Sequence, residues 1–162
     1  MPGPGVDKVS TCQVDYSKVA YRGCVLPIRR FAYTSKSTHP FSERELLDLL
    51  HDARDYNAAD GITGLLLYRE GCFLQILEGK PDLVEDVSQR IARDLRHHEV
   101  EVLLDQEVDT RLFPQWSMEA VELERLQKAG LPGLSMDLAD SRNAAQLVAH
   151  LPQIAAWLGE HQ

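Results

Sequence analysis

Residues 61–79 read GITGLLLYREGCFLQILEG. Two short apolar runs are joined by a polar, Gly-containing turn at Arg69-Glu70-Gly71, which is the pattern of a β-hairpin. Side chains alternate faces along a strand, so in the second run Phe73, Gln75 and Leu77 share one side while Cys72, Leu74, Ile76 and Glu78 share the other. Gln75 is therefore an amide set between two large apolar neighbours. Left unpaired in such a place it costs about 1–3 kcal/mol, so a partner has to meet it. Both runs are also apolar on both faces, with Leu65 and Leu67 set against Leu66 and Ile62 in the first. A sheet strand without a polar face needs cover on both sides.

Working outward from the hairpin, the preceding LPIRRFAYTS from Leu26 has strand character and puts Phe31 and Tyr33 on one side. Ser42 and Glu45 form a capping box at the start of a helix. Its apolar stripe Leu46, Leu49, Leu50 and Ala53 steps by three and four, and the next member of the stripe is Asn57. By residue chemistry alone Asn57 reads first as a helix cap, because Asn tolerates the left-handed conformation and Gly61 follows. On the far side of the hairpin, Gly79-Lys80-Pro81-Asp82 turns into a second helix with Pro81 near its start and Val84, Val87, Ile91 and Leu95 as its core face. Asp94 falls on the shoulder of that face, and Arg96, His97 and His98 close the helix. Two more strands follow, Val100 to Val108 and Phe113 to Val121, the second with Trp116 and Met118 on one face.

The order strand, helix, strand, strand, helix, strand is an α+β, ferredoxin-like βαββαβ arrangement with an additional fifth strand. Its two helices cover one face of the sheet. The expected cover for the other is a C-terminal helical cap, carried by the stripe Ala144, Leu147, Val148, Leu151, Ile154, Ala155 and Leu158 after a cap at Ser141. Pro152 should bend or break that helix, and a shorter one from Leu123 to Ala129 should precede it, ended by Gly130 and Pro132. The expected organisation is a flexible N-terminal extension over 1–24, a core over 25–121 and the cap over 122–162.

A net charge of −8 with no concentrated basic face argues against a nucleic-acid binder. Three cysteines, Cys12, Cys24 and Cys72, without CxxC spacing indicate neither a disulfide framework nor a zinc site, which fits a reducing cytoplasm. No apolar run reaches the roughly 18 residues of a membrane span. Phosphate loops, dinucleotide GxGxxG, HExxH and a Ser-His-Asp order are missing, and the adjacent His97 and His98 diverge too far for a metal pair. No metal site is expected. Tyr33, Asn57 and Gln75 are uncharged at neutral pH and lack a ready base or nucleophile; they suit recognition of a polar ring edge.

Five motifs in order carry a family resemblance: Tyr33-Thr34-Ser35; Asn57 to Gly64, NAADGITG; Phe73 to Gly79, FLQILEG; Arg93 to His97, RDLRH; and Phe113 to Met118, FPQWSM. Together they closely resemble the BLUF family of blue-light sensors using FAD, and the C-terminal segment resembles the cap of its short members. The resemblance implies non-covalent FAD between the two core helices, against the face of Tyr33 and Gln75. Asn57 would then bond the flavin's pyrimidine edge, and Asp94, Arg96 and His97 would hold its ribityl and phosphate part. Ile62, Leu65, Phe73 and Leu77 would be apolar lining. The implied mechanism is a photoreceptor switch in which Tyr33 gives an electron and a proton through Gln75, the Gln75 amide rearranges, and Trp116 and Met118 carry the change to the last strand and the cap. Too little chain follows the cap for an output enzyme, so the expectation is a non-enzymatic sensor acting on a separate signalling protein or as a homo-oligomer. Two other readings are a flavin-dependent oxidoreductase, which dark turnover of an electron donor would reveal, and a flavin-free ferredoxin-like interaction module, in which the Asn57, Asp94 and Arg96 side chains matter for stability alone.

Overall fold

The hairpin turns at Glu70 and Gly71, both with positive φ (49° and 80°), as a two-residue turn that follows the twist of the strands requires. Around it the computed structural model describes residues 26–130, 135 and 137–161. The first strand, β1 (Ile28–Ser37), leads into α1 (Glu43–Ala59), then the hairpin strands β2 (Thr63–Arg69) and β3 (Cys72–Gly79). Next come α2 (Pro81–Arg93), β4 (His97–Val108), the two-residue β5 (Glu119–Ala120), and three helices α3 (Leu123–Gln127), α4 (Ser141–Ala149) and α5 (Leu151–Glu160). The sheet runs β4-β1-β3-β2-β5, antiparallel except for β2 and β5. This is the α+β, ferredoxin-like sheet with a fifth strand that the sequence indicates. The N-terminal segment 1–24 and Pro132 lie outside the described residues.

All eight residues of β3 are buried, so the central hairpin strand is covered on both faces as its composition demands. One core joins Phe31, Tyr33, Leu66, Phe73 and Leu77 to Leu50 of α1 and Val84 and Val87 of α2. The other joins Ala32, Leu65, Leu74 and Ile76 to Leu126 of α3, Ala144, Leu147 and Val148 of α4, and Ile154 and Leu158 of α5. The sheet thus separates a two-helix layer from a C-terminal helical layer.

Four local expectations need correction. α2 ends at Arg93 and Leu95 is 89% exposed, because Asp94 turns extended and its carboxylate takes the Arg96 N–H at 2.9 Å. The final strand is two residues long. The N–H groups of Leu112 and Phe113 bond the Glu78 carboxylate at 2.9–3.0 Å, so they cannot enter a ladder, and Pro114 has no N–H to give. The cap of α4 is Asp140, whose side chain accepts from the Arg142 N–H, with Ser141 the first helical residue. Asn57 lies within α1, whose C-cap is Asp60. The break at Pro152 falls between α4 and α5, where Pro sits in the first turn of the new helix and its missing N–H costs nothing.

Candidate functional site

Tyr33 of β1 lies directly opposite Gln75 of β3 in the antiparallel register. Opposed side chains on one face come within about 4.5–5.5 Å at Cβ, close enough for polar ends to meet. The Tyr33 hydroxyl donates to Gln75 Oε1 at 2.5 Å. That fixes the amide's other end, and Gln75 Nε2 donates to the Met118 sulfur at 3.4 Å. The misplaced amide therefore finds its partners in a short chain, phenol to amide to thioether. Burial raises the Tyr33 pKa well above that of a free phenol, and the negative charge of Asp94 adds to the effect. Tyr33 is thus a neutral donor throughout the physiological range.

This chain borders a cavity of about 650 Å³ between α1, α2 and the sheet, within the range of small-ligand sites. Leu49 and Ala53 of α1, Val87 and Ile91 of α2, and Leu66 and Phe73 of the hairpin supply its apolar walls. Asn57, only 3% exposed, lines the same space. Its backbone carbonyl receives the Ile62 N–H at 2.8 Å, while its side-chain amide bonds no protein group among the described residues. An amide that lines a cavity without a protein partner is open to bond a ligand there. Its donor and acceptor, with those of Gln75, fit the alternating carbonyl and N–H groups of a flavin ring edge.

Charged residues gather at the cavity's rim. Arg96 meets both Asp94 oxygens through Nε at 3.0 Å and Oδ2 through Nη2 at 2.6 Å, and this guanidinium holds the Asp94 carboxyl below its usual range. Its remaining side-chain donors bond no protein group among the described residues and can meet an anionic ligand. His97 lines the cavity with its ring, but both nitrogens are used: Nε2 donates to the Ile91 carbonyl at 2.6 Å, and Nδ1 meets the Ser35 hydroxyl at 2.8 Å. Its geometry supports the loop rather than a phosphate. Arg90 stands over the Tyr56 ring at 5.3 Å, and both residues reach the cavity.

Of the residues singled out in the sequence, Tyr33, Asn57, Phe73, Gln75, Asp94, Arg96 and His97 come together around this cavity. Ile62 and Leu77 lie on its side of the sheet, in the closed core beside it. Leu65 does not belong. It pairs with Ile76 and faces the C-terminal helices, whereas Leu66 pairs with Gln75 and supplies the wall. Trp116 and Met118 also part company. Trp116 packs with Phe113 on the cap side, while Met118 is fully buried against Gln75, because the bends over 113–118 remove the two-residue alternation of a strand. Leu66, Tyr56 and Arg90 also line the cavity, and the sequence alone does not single them out as site residues; Arg90 lies one residue before Ile91 in the last turn of α2, which is the signal that could have found it.

The profile of the family described as "BLUF: Sensors of blue-light using FAD" matches residues 28–119. The chain belongs to the BLUF family. Among similar solved structures are a BLUF protein, BlrB, in its dark state (TM-score 0.68, 28% identity, 82% of this chain and 98% of that one) and BlsA in its ground state (TM-score 0.64, 27% identity, 77% and 87%). A curated relative, the photoactivated adenylate cyclase subunit beta of Euglena gracilis, is 35% identical over 95 residues. Those residues make up 58% of this chain and 11% of that protein, so the chain spans about a tenth of the relative's length. As a BLUF domain, the chain is a blue-light sensor of the flavin-using type. Among the described residues no helix is long and apolar enough to cross a membrane.

Proposed function

We propose that the chain binds FAD non-covalently in the cavity between α1 and α2 and signals through the Tyr33–Gln75–Met118 hydrogen-bond chain to a separate partner protein or through changed self-association. The observation that carries this reading is the phenol–amide–thioether chain beside a cavity lined by Asn57, whose amide bonds no protein group among the described residues. Bound flavin supplies blue-light absorption and an excited state that accepts an electron. Asn57 and Gln75 orient its polar edge, the apolar walls exclude water, and Arg96 with Arg90 offers charge to the phosphate end. Tyr33 is the electron and proton donor, held protonated by burial and aimed at Gln75 Oε1.

Gln75 is the two-state element. An amide turned end for end presents Nε2 to Tyr33 and Oε1 to Met118, and a thioether has no hydrogen to give that oxygen. The Met118 contact is therefore lost in one orientation and present in the other, a difference that biases whatever Met118 holds in place. The chain acts as a sensor without turnover of its own, and the buried Cys72 thiol suits a reducing cytoplasm.

The test is the absorption spectrum of the purified protein before and after blue light, with the released cofactor identified by mass. Yellow protein with a reversible red shift and released FAD supports the proposal. Gln75→Ala and Tyr33→Phe should abolish the shift while flavin stays bound. Protein that remains colourless after flavin reconstitution overturns it.

A further inference from the structure

Met118 is held at two points by two different elements. Its sulfur accepts the Gln75 amide hydrogen, and its backbone carbonyl accepts from Arg54 Nε at 2.9 Å. Arg54 stands one helical turn before Asn57 in α1, the helix that walls the cavity. Directly after Met118 the chain enters β5, where Glu119 pairs with Leu65 and Ala120 with Leu66, and the Val121 N–H bonds the Leu66 carbonyl at 3.0 Å. α3 and the rest of the C-terminal layer follow. Before Met118, the bent stretch is tied to the sheet by the Gly64 N–H, which donates to the Trp116 carbonyl at 2.8 Å.

A methionine side chain has three rotatable bonds and can absorb a displaced contact without moving its backbone. A sulfur contact alone is thus a poor lever. It becomes one when the peptide is fixed at a pivot, and a carbonyl bonded by a guanidinium is such a pivot, since charge-assisted bonds are shorter and stronger than neutral ones. We infer that Arg54 is a positioning residue that pins the Met118 peptide to α1, so that rearrangement of Gln75 is passed into β5 and the C-terminal layer. The inference rests on the proposed switch. Arg54 also approaches Glu119 at 3.5 Å, but that pair is exposed (44% and 49%) and contributes little stability, so the protein folds without it.

The experiment compares the flavin-loaded full chain with Arg54→Ala and Arg54→Lys, reading the light-induced red shift together with the lit-minus-dark difference in amide exchange over Glu119–Leu126. Arg54→Ala should keep flavin and the full red shift while the exchange difference falls by about tenfold, the size of one hydrogen bond from a charged donor. Arg54→Lys, which retains a charged donor, should recover about half of that difference. An exchange difference in Arg54→Ala equal to the wild type overturns the inference while leaving the switch intact. Loss of flavin or of the red shift in Arg54→Ala also overturns it, by making Arg54 part of the cavity's support. A wild type without any red shift removes the switch and the inference together.

Discussion

Glu78 follows Gln75 by three residues in β3, and its carboxylate is fully buried. Arg30 Nε meets it at 2.7 Å from a side chain only 11% exposed, and the N–H groups of Leu112 and Phe113 complete its shell at 2.9–3.0 Å. The carboxylate thus ties β3 to the segment that leads to Met118. Glu78→Ala strands a buried guanidinium, for which breaking one side of a buried pair costs about 3–5 kcal/mol. It also unpairs two backbone donors at roughly 1–3 kcal/mol each, but neighbouring losses do not add and the loop can relax toward water. A net loss of about 4 kcal/mol follows, or about 8–16 °C in Tm for a chain of this size. Thermal and urea denaturation of the flavin-free protein should measure it, free of any contribution from bound cofactor. Adding Arg30→Met removes the stranded charge, so the double variant should regain about 2 kcal/mol. A loss below about 1 kcal/mol for Glu78→Ala, or simple additivity of the two substitutions, refutes this account of the pair.

Asn57→Ala should weaken flavin retention by about tenfold or more while leaving flavin-free stability nearly unchanged, because its amide bonds no protein group among the described residues; flavin titration by fluorescence quenching checks this. Gly64→Ala should destabilise strongly, since an added Cβ would stand 1.9 Å from the Ile76 carbonyl oxygen and 3.3 Å from Met118 Cε; denaturant melts measure the loss, and the Met118 contact should show it in a reduced red shift. Leu65→Ala should cost about 2–5 kcal/mol of stability with flavin affinity kept, whereas Leu66→Ala should lower affinity as well. The Asp94 carboxyl is held below its usual range by Arg96, so the pair's contribution is fully present above about pH 4 and is lost as pH falls through the lowered folded value. Acid titration should show this loss, less than about 1 kcal/mol for a partly exposed pair, disappear in Asp94→Asn.

The layers of this fold were legible because each carries its own pattern of apolar residues. Two short apolar runs around a polar, Gly-containing turn mark the hairpin, and steps of three and four mark α1, α2 and the C-terminal helices. Gln75 was legible for a different reason, as a polar residue where burial was certain. What could not be read was anything that depends on one charged side chain competing for backbone donors. The carboxylate of Glu78 takes the N–H groups of Leu112 and Phe113, and a nine-residue strand shrinks to Glu119–Ala120. Asp94 turns the chain out of α2, and Leu95 goes to solvent.

Leu65 and Leu66 show the same limit in its smallest form. Both are buried leucines in an all-apolar strand, and nothing in their own sequence says which faces the cavity. The pairing decides it: Leu66 lies opposite Gln75, so it shares that residue's face, and Leu65 lies opposite Ile76 and is turned to the cap. A one-residue slip of β2 against β3 would exchange them and put β5 in the wrong place, since Glu119 and Ala120 pair with these same two residues. Gly64 blocks that slip. Its missing side chain is what lets the Ile76 backbone come so close, and any other residue there would push the strands apart. The register that selects the cavity-facing leucine is therefore also the register that seats Met118 against Gln75, and both depend on a glycine outside the phenol–amide chain.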